Sequence, residues 1–136
     1  MSEMEVENID TPDLDGRRPL QHAAVAGNIE RLRHLLSCGA TVSAADTAGW
    51  SALHSAASAG HASACSVLLD AGAPPNARTE SGTTPLFHAA GKGHEEVIRV
   101  LLQVLLLRQL TLRLRLRLRL RLRLSLSLSL TPTCTP

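Results

Sequence analysis

The sequence predicts an all-α fold, an α-solenoid of three helix-turn-helix repeats with a long Leu-rich C-terminal extension. Three observations predict it. Punctuating residues recur every 33 positions from residue 13 to about 102. Each recurrence contains the start and stop signals of two short helices. From Leu110 to Leu130 the pattern changes to strict alternation of Leu with Thr111, then Arg, then Ser. Fixed periods of this size mark units that cannot bury their apolar faces alone and must stack on copies of themselves.

The register is exact over three units. Gly16, Gly49 and Gly82 align, as do Leu20, Leu53 and Leu86. Ala23-Ala24, Ala56-Ala57 and Ala89-Ala90 follow, then Gly27, Gly60 and Gly93, then Leu35-Leu36, Leu68-Leu69 and Leu101-Leu102. Gly39-Ala40 matches Gly72-Ala73, but the third pair is Leu105-Leu106, and there the repeat breaks. The units run 13–45, 46–78 and 79–107, between an acidic N-terminal stretch, 1–12, expected to be disordered, and a low-complexity tail, 108–136.

Within each unit the first helix opens on a cap. Thr84-Pro85 supplies a hydroxyl cap and a proline at the first helical position, where its missing N–H costs nothing. Arg18-Pro19 keeps only the proline, and Ser51-Ala52 only the hydroxyl. Leu and the Ala pair face inward, and the small Ala side chains let helices approach closely. Gly27, Gly60 and Gly93 stop this helix, since glycine tolerates the left-handed conformation that ends helices. The second helix carries its core on one face: Ile29, Leu32, Leu35 and Leu36, then Ala64, Cys65, Leu68 and Leu69, then Val97, Ile98, Leu101 and Leu102. Polar links join the units at Ser43 to Gly49 and Asn76 to Gly82.

Charge is split along the chain. Residues 1–100 hold seven basic and all twelve acidic residues, a net of −5, and residues 101–136 hold seven Arg and no acid, a net of +7. Cys38, Cys65 and Cys134 are far apart and form no CxxC pair, which argues against a disulfide framework and a zinc site. Reduced thiols, with an acidic N-terminus that contains no apolar stretch, lead to the expectation of a cytoplasmic or nuclear protein. No uncharged apolar run is long enough to span a membrane.

No catalytic residue, metal ligand or cofactor site is expected. The chain has no GxSxG, P-loop or GxGxxG, and its glycines recur at 33, which is architecture. Ser51 reads as a helix cap rather than a nucleophile. None of the six histidines has a Cys or carboxylate partner at ligand spacing. Cys65 aligns with Ile98 and is expected in the core, while Cys38 is expected to be partly exposed.

GTTPLFHAAGKGHEEVIRVLL, GWSALHSAASAGHASACSVLL and GRRPLQHAAVAGNIERLRHLL resemble the ankyrin repeat, whose units read roughly G-x-T-P-L-H-x-A-A-x-x-G-H, a double Leu, then G-A. The resemblance covers about ninety residues. It implies L-shaped units of antiparallel helices with projecting hairpins, and a non-catalytic protein–protein interaction module such as a scaffold or adaptor. His54 falls on the family histidine that steadies the turn; Gln21 and Phe87 replace it in the other units. The resemblance also implies that His61 and His94 support the second helices. Binding by hairpin tips and the exposed face of the first helices would here fall on Arg17 and Arg18; Asp46, Thr47, Ala48 and Trp50; and Arg78, Glu80, Ser81 and Thr83. Trp50 is the sharpest of these, because Trp is enriched at interface hot spots; its other role is packing over the neighbouring hairpin. Within the family, DTAGWSALHSAASAGH resembles a stretch of gankyrin-like proteasome-assembly ankyrin proteins, which adds a proteasome-related protein to the partners expected.

The tail sends conflicting signals. Every even position from Leu110 to Leu130 is Leu, which suits a strand with one Leu face and one Arg or Ser face. Leu and Arg are also good helix formers, but a period of two wound on a helix leaves no apolar stripe. A charge run this dense also reads as disorder. Three functional readings follow: binding of an anionic membrane or of nucleic acid through the Arg row, self-pairing as a strand, or no function. Nucleic-acid binding is disfavoured by the lack of aromatic stacking residues. The last arises because a six-base DNA repeat necessarily encodes alternating residues, so that the chain would be a truncated product with a simple-sequence end.

Overall fold

The computed structural model of the chain describes residues 9–129. The expectations for residues 1–8, for Cys134 and for the terminal TPTCTP lie outside them. Among the described residues there are six helices and no strand: α1 (Pro19–Ala26), α2 (Ile29–Ser37), α3 (Ala52–Ala59), α4 (Ala62–Asp70), α5 (Pro85–Lys92) and α6 (Glu95–Ser129). The fold is the all-α repeat array that the 33-residue period predicts.

The caps follow the local chemistry. Asn28, Ser51 and Thr84 accept from the backbone N–H of Arg31, His54 and Phe87. Arg18 makes no side-chain cap and relies on Pro19. Helices α2 and α4 end in the same way. Gly39 and Gly72 take φ of 94° and 98°, and the N–H groups of Ala40 and Ala73 donate back to the carbonyls of Leu35 and Leu68. That pair of turns closes the orphan carbonyls of a helix end. At the equivalent place α6 has Leu105-Leu106, no left-handed turn forms, and the helix runs on to Ser129.

Within residues 1–104, α1 packs on α3, α3 on α5, and α2 on α4. The core is the periodic set of the sequence: Leu20, Leu32, Leu53, Leu68, Val97 and Leu101 are buried, with Ala pairs 23–24 and 56–57 between the helices. Leu86 is half-buried and packs against the same core. Loops stack as well as helices. Asp13 and Asp46 each accept two backbone N–H groups of their own loop through Oδ1, and Thr79 Oγ1 accepts one. Successive loops are joined by Thr47 N–H to the Asp15 carbonyl at 3.3 Å and Glu80 N–H to the Ala48 carbonyl at 3.1 Å.

Histidines 61 and 94 join neighbouring units rather than supporting their own second helices, the role the family resemblance implied. His61 Nε2 donates to the Val25 carbonyl at 3.0 Å, and His94 Nε2 to the Ser58 carbonyl at 3.1 Å. Each ring lies over the helix-ending glycine of the preceding unit. A Cβ at Gly27 or Gly60 would stand 2.7 Å from the Nδ1 of His61 or His94. At Gly27 and Gly60 glycine therefore serves two ends, a left-handed turn and a seat for the next unit's imidazole; Gly93 serves only the turn.

Two boundaries differ from the sequence reading. Asp10, in the stretch expected to be disordered, accepts from the Thr41 N–H and hydroxyl and lies 3.8 Å from Arg18. Ile9 packs on the core. The compact repeat unit ends at Val104 rather than residue 107, because Val104 is the last residue packed on that core. The second unit, 105–136, is helical as far as described, not a strand or a disordered run. Its leucines from Leu106 to Leu124 are all more than half exposed, the stripe-free arrangement that a two-residue period gives on a helix. No helix among the described residues is long and apolar enough to cross a membrane.

Candidate protein-binding groove

A groove of about 360 Å³ opens along the first helices and loops of the repeats. Arg17 lines it from the first loop; Asp46, Ala48 and Trp50 from the second; Gln21 and Val25 from α1; Ser55, Ser58 and Ala59 from α3; and Lys92 from the end of α5. Hydrogen bonds tie several of the lining side chains together. Gln21 Nε2 donates to Asp46 Oδ2 at 2.9 Å and to Ser55 Oγ at 3.0 Å. Asp46 Oδ1 accepts from the N–H of Ala48 and of Trp50, both at 2.9 Å. Lys92 Nζ donates to Ser58 Oγ at 2.7 Å.

Trp50 packs on two imidazole rings and lines the groove. It is half-buried, its ring 4.3 Å from that of His88 and 6.1 Å from that of His54. Beneath it lies a histidine network. His54 is fully buried; its Nδ1 accepts from the Ser51 N–H at 3.2 Å. The proton therefore sits on Nε2, which donates to the Thr83 carbonyl at 3.2 Å. Burial holds the His54 pKa below its ordinary value, outweighing the Thr83 hydrogen bond. Burial, then the Lys92 charge, also lowers that of His88, which bonds Thr83 Oγ1 at 2.9 Å. Neutral imidazoles thus carry the aromatic platform.

The sequence candidates separate into three placements. Arg17, Asp46, Ala48 and Trp50 meet in the groove. Thr47 is exposed on its loop, its hydroxyl donating to the Asp15 carbonyl; Arg78, Glu80 and Ser81 are exposed on theirs, outside the groove lining, and Thr83 is half-buried under the platform. Arg18 is half-buried beside Asp10 and does not line the groove. The sequence reading missed Gln21, Val25, Ser55, Ser58, Ala59 and Lys92. A signal for them existed. At constant register the units read Gln21/His54/Phe87, His22/Ser55/His88, Val25/Ser58/Gly91 and Ala26/Ala59/Lys92, variable positions among invariant neighbours.

The Ser51–His54 pair is a reciprocal helix cap. Cys65 is buried and its thiol is pushed up to about 12 by desolvation, while Cys38 is exposed; both are free. Among the described residues no three His, Cys, Asp or Glu side chains gather as ligands for a metal ion.

The stacked helix pairs and the joined loops define a helical-repeat array with a groove along its first helices. The family model described as ankyrin repeats (3 copies) matches residues 2–79 and 22–106, and the chain belongs to that family. Among curated protein sequences, none matches the chain significantly. Ankyrin-repeat proteins are generally non-enzymatic modules that mediate protein–protein interaction.

Proposed function

We propose that this chain binds a partner protein through the groove centred on Trp50, as a scaffold or adaptor without catalysis. The observation that carries the reading is the tying together of lining side chains by the Gln21–Asp46–Ser55 hydrogen bonds, with Trp50 held at the rim. Walls ordered in the free protein cost little entropy on binding, so contact energy goes into affinity. The contact set comprises Arg17, Asp46, Ala48 and Trp50 in the groove, extended by the exposed loop residues Thr47, Arg78, Glu80 and Ser81. Thr83 supports it through its bonds to His54 and His88, and Arg18, beside Asp10, borders the first loop. The free thiols of Cys38 and Cys65 accord with a cytoplasmic or nuclear setting. The likeness of DTAGWSALHSAASAGH to proteasome-assembly ankyrin proteins makes proteasome components the first partners to try.

Affinity capture with the full chain tests the reading. A partner that uses the groove is retained by Arg33→Ala, on the exposed side of α2, and weakened by Trp50→Ala by at least fivefold, about 1 kcal/mol, with little change in helicity. A partner retained equally by both variants would move the binding surface off the groove.

A further inference from the structure

The groove leaves the helical extension unexplained. From Leu110 to Leu124 each even-numbered residue is a leucine 53–64 % exposed, and Arg113, Arg115, Arg117, Arg119, Arg121 and Arg123 lie exposed between them. Helical geometry spreads both residue types around the axis, so no side of this helix offers a continuous apolar stripe. The same residues as a strand place seven leucines, 112 to 124, on one face and six arginines on the other, over about 40 Å at roughly 3.3 Å per residue. Helix wins in water because it satisfies its own backbone, whereas a lone strand presents unpaired N–H and C=O groups.

We propose that residues 108–124 bind anionic lipid surfaces, exchanging the helix for amphipathic strands that lie at the phosphate level and pair with neighbouring copies. The charge sets the sign of the surface: residues 97–136 contain eight arginines and no acid. The alternation sets its kind. Each of the six arginines from 113 to 123 has leucine on both sides, so the partner must supply negative charge and an apolar phase side by side along that stretch. A lipid boundary does so, with leucines in the acyl region and arginines among the phosphates. RNA supplies the charge without the apolar phase, and the segment has no aromatic residue for a base to stack on. Crowding on the surface brings copies together, so strand edges find the partners they lack in solution.

The test uses the full chain with vesicles of phosphatidylcholine alone or with one third phosphatidylserine, read by co-sedimentation and circular dichroism. The expected result is binding to the serine-containing vesicles only, loss of helical signal with gain of strand signal, and about tenfold weaker binding when salt rises from roughly 0.05 to 0.5 M. Replacing the six arginines 113–123 by Ser abolishes binding. A second variant keeps composition and breaks alternation: Arg115→Leu, Leu116→Arg, Arg119→Leu and Leu120→Arg give a helix-period face, and this protein binds with its helix retained. Failure to bind anionic vesicles, equal binding to neutral ones, or a wild-type helix unchanged on the vesicle each overturns the proposal. So does preferential binding to single-stranded RNA over anionic vesicles.

Discussion

Helix α6 begins inside the repeat core and continues beyond it, and the two stretches obey different rules. Between residues 95 and 104, Val97 and Leu101 are fully buried, with Ile98, Val100 and Val104 packed around them. Between 106 and 124, leucine is more frequent and every one is more than half exposed. Hydrophobic content therefore does not decide burial here. Spacing does: three and four residues between apolar positions make a face that another helix can cover, and two residues make none. Repeat-derived stability comes from neighbour interfaces, whereas the described part of the extension shows helix hydrogen bonds, with the Thr111 hydroxyl donating to the Leu107 carbonyl, and has the good helix propensities of Leu and Arg.

The largest expected contrast is a matched pair of truncations. Leu53→Ala removes a fully buried side chain from the middle unit and is expected to cost about 3 kcal/mol. Leu118→Ala removes an exposed one and is expected to stay within about 0.5 kcal/mol. Urea denaturation of both variants measures the difference; equal losses would mean that the extension is packed after all.

A smaller effect is expected at the seam between units. Gly60→Ala forces a Cβ to within 2.7 Å of His94 Nδ1 at a φ of 83°, and is expected to cost about 2 kcal/mol. Gly91→Ala, with open space around its Cβ, should leave stability unchanged or slightly raised. Thermal melts of the two proteins compare them. A harmless Gly60→Ala would show that the imidazole seat does not hold the units together.

The smallest effect is set by pH. His54 and His88 have lowered pKa values in the fold, so as pH falls below the ordinary histidine value of 6.5 the unfolded chain takes up protons first. Their stabilising contribution is complete above 6.5 and is lost as pH falls from there through the lowered folded values. Melting temperature is expected to fall between pH 7.5 and pH 5. His54→Gln, which copies the residue found at the same register in Gln21, is expected to flatten that slope. An unchanged slope would assign the pH dependence to other groups.

Much of the fold was legible because it repeats. Three aligned copies of Leu20, of Ala23-Ala24 and of Gly27 identify core, close packing and helix stop without any tertiary information. The seams were less legible. His61 and His94 bond to carbonyls 36 residues earlier, a pairing set by how units stack rather than by local spacing. Arg18 and Asp46 were read as surface residues from their loop positions, but one packs beside Asp10 and the other holds Gln21, Ala48 and Trp50 together. Acidic and basic side chains close to a turn serve backbone and partner alike, and only geometry tells which. The groove-lining positions on α1, α3 and α5 were legible in principle as variation at fixed register. For the extension, period two and helix propensity pull in opposite directions, and helix prevails because it satisfies its own backbone where a lone strand cannot.

Native-state hydrogen exchange on the full chain tests the central claim most directly, that burial at the 33-residue register holds the fold and the extension stands on local bonds alone. Amides of α3 are expected to exchange only by global unfolding, and those from 108 to 124 much faster, through local opening. Equal protection in the two stretches would contradict the account.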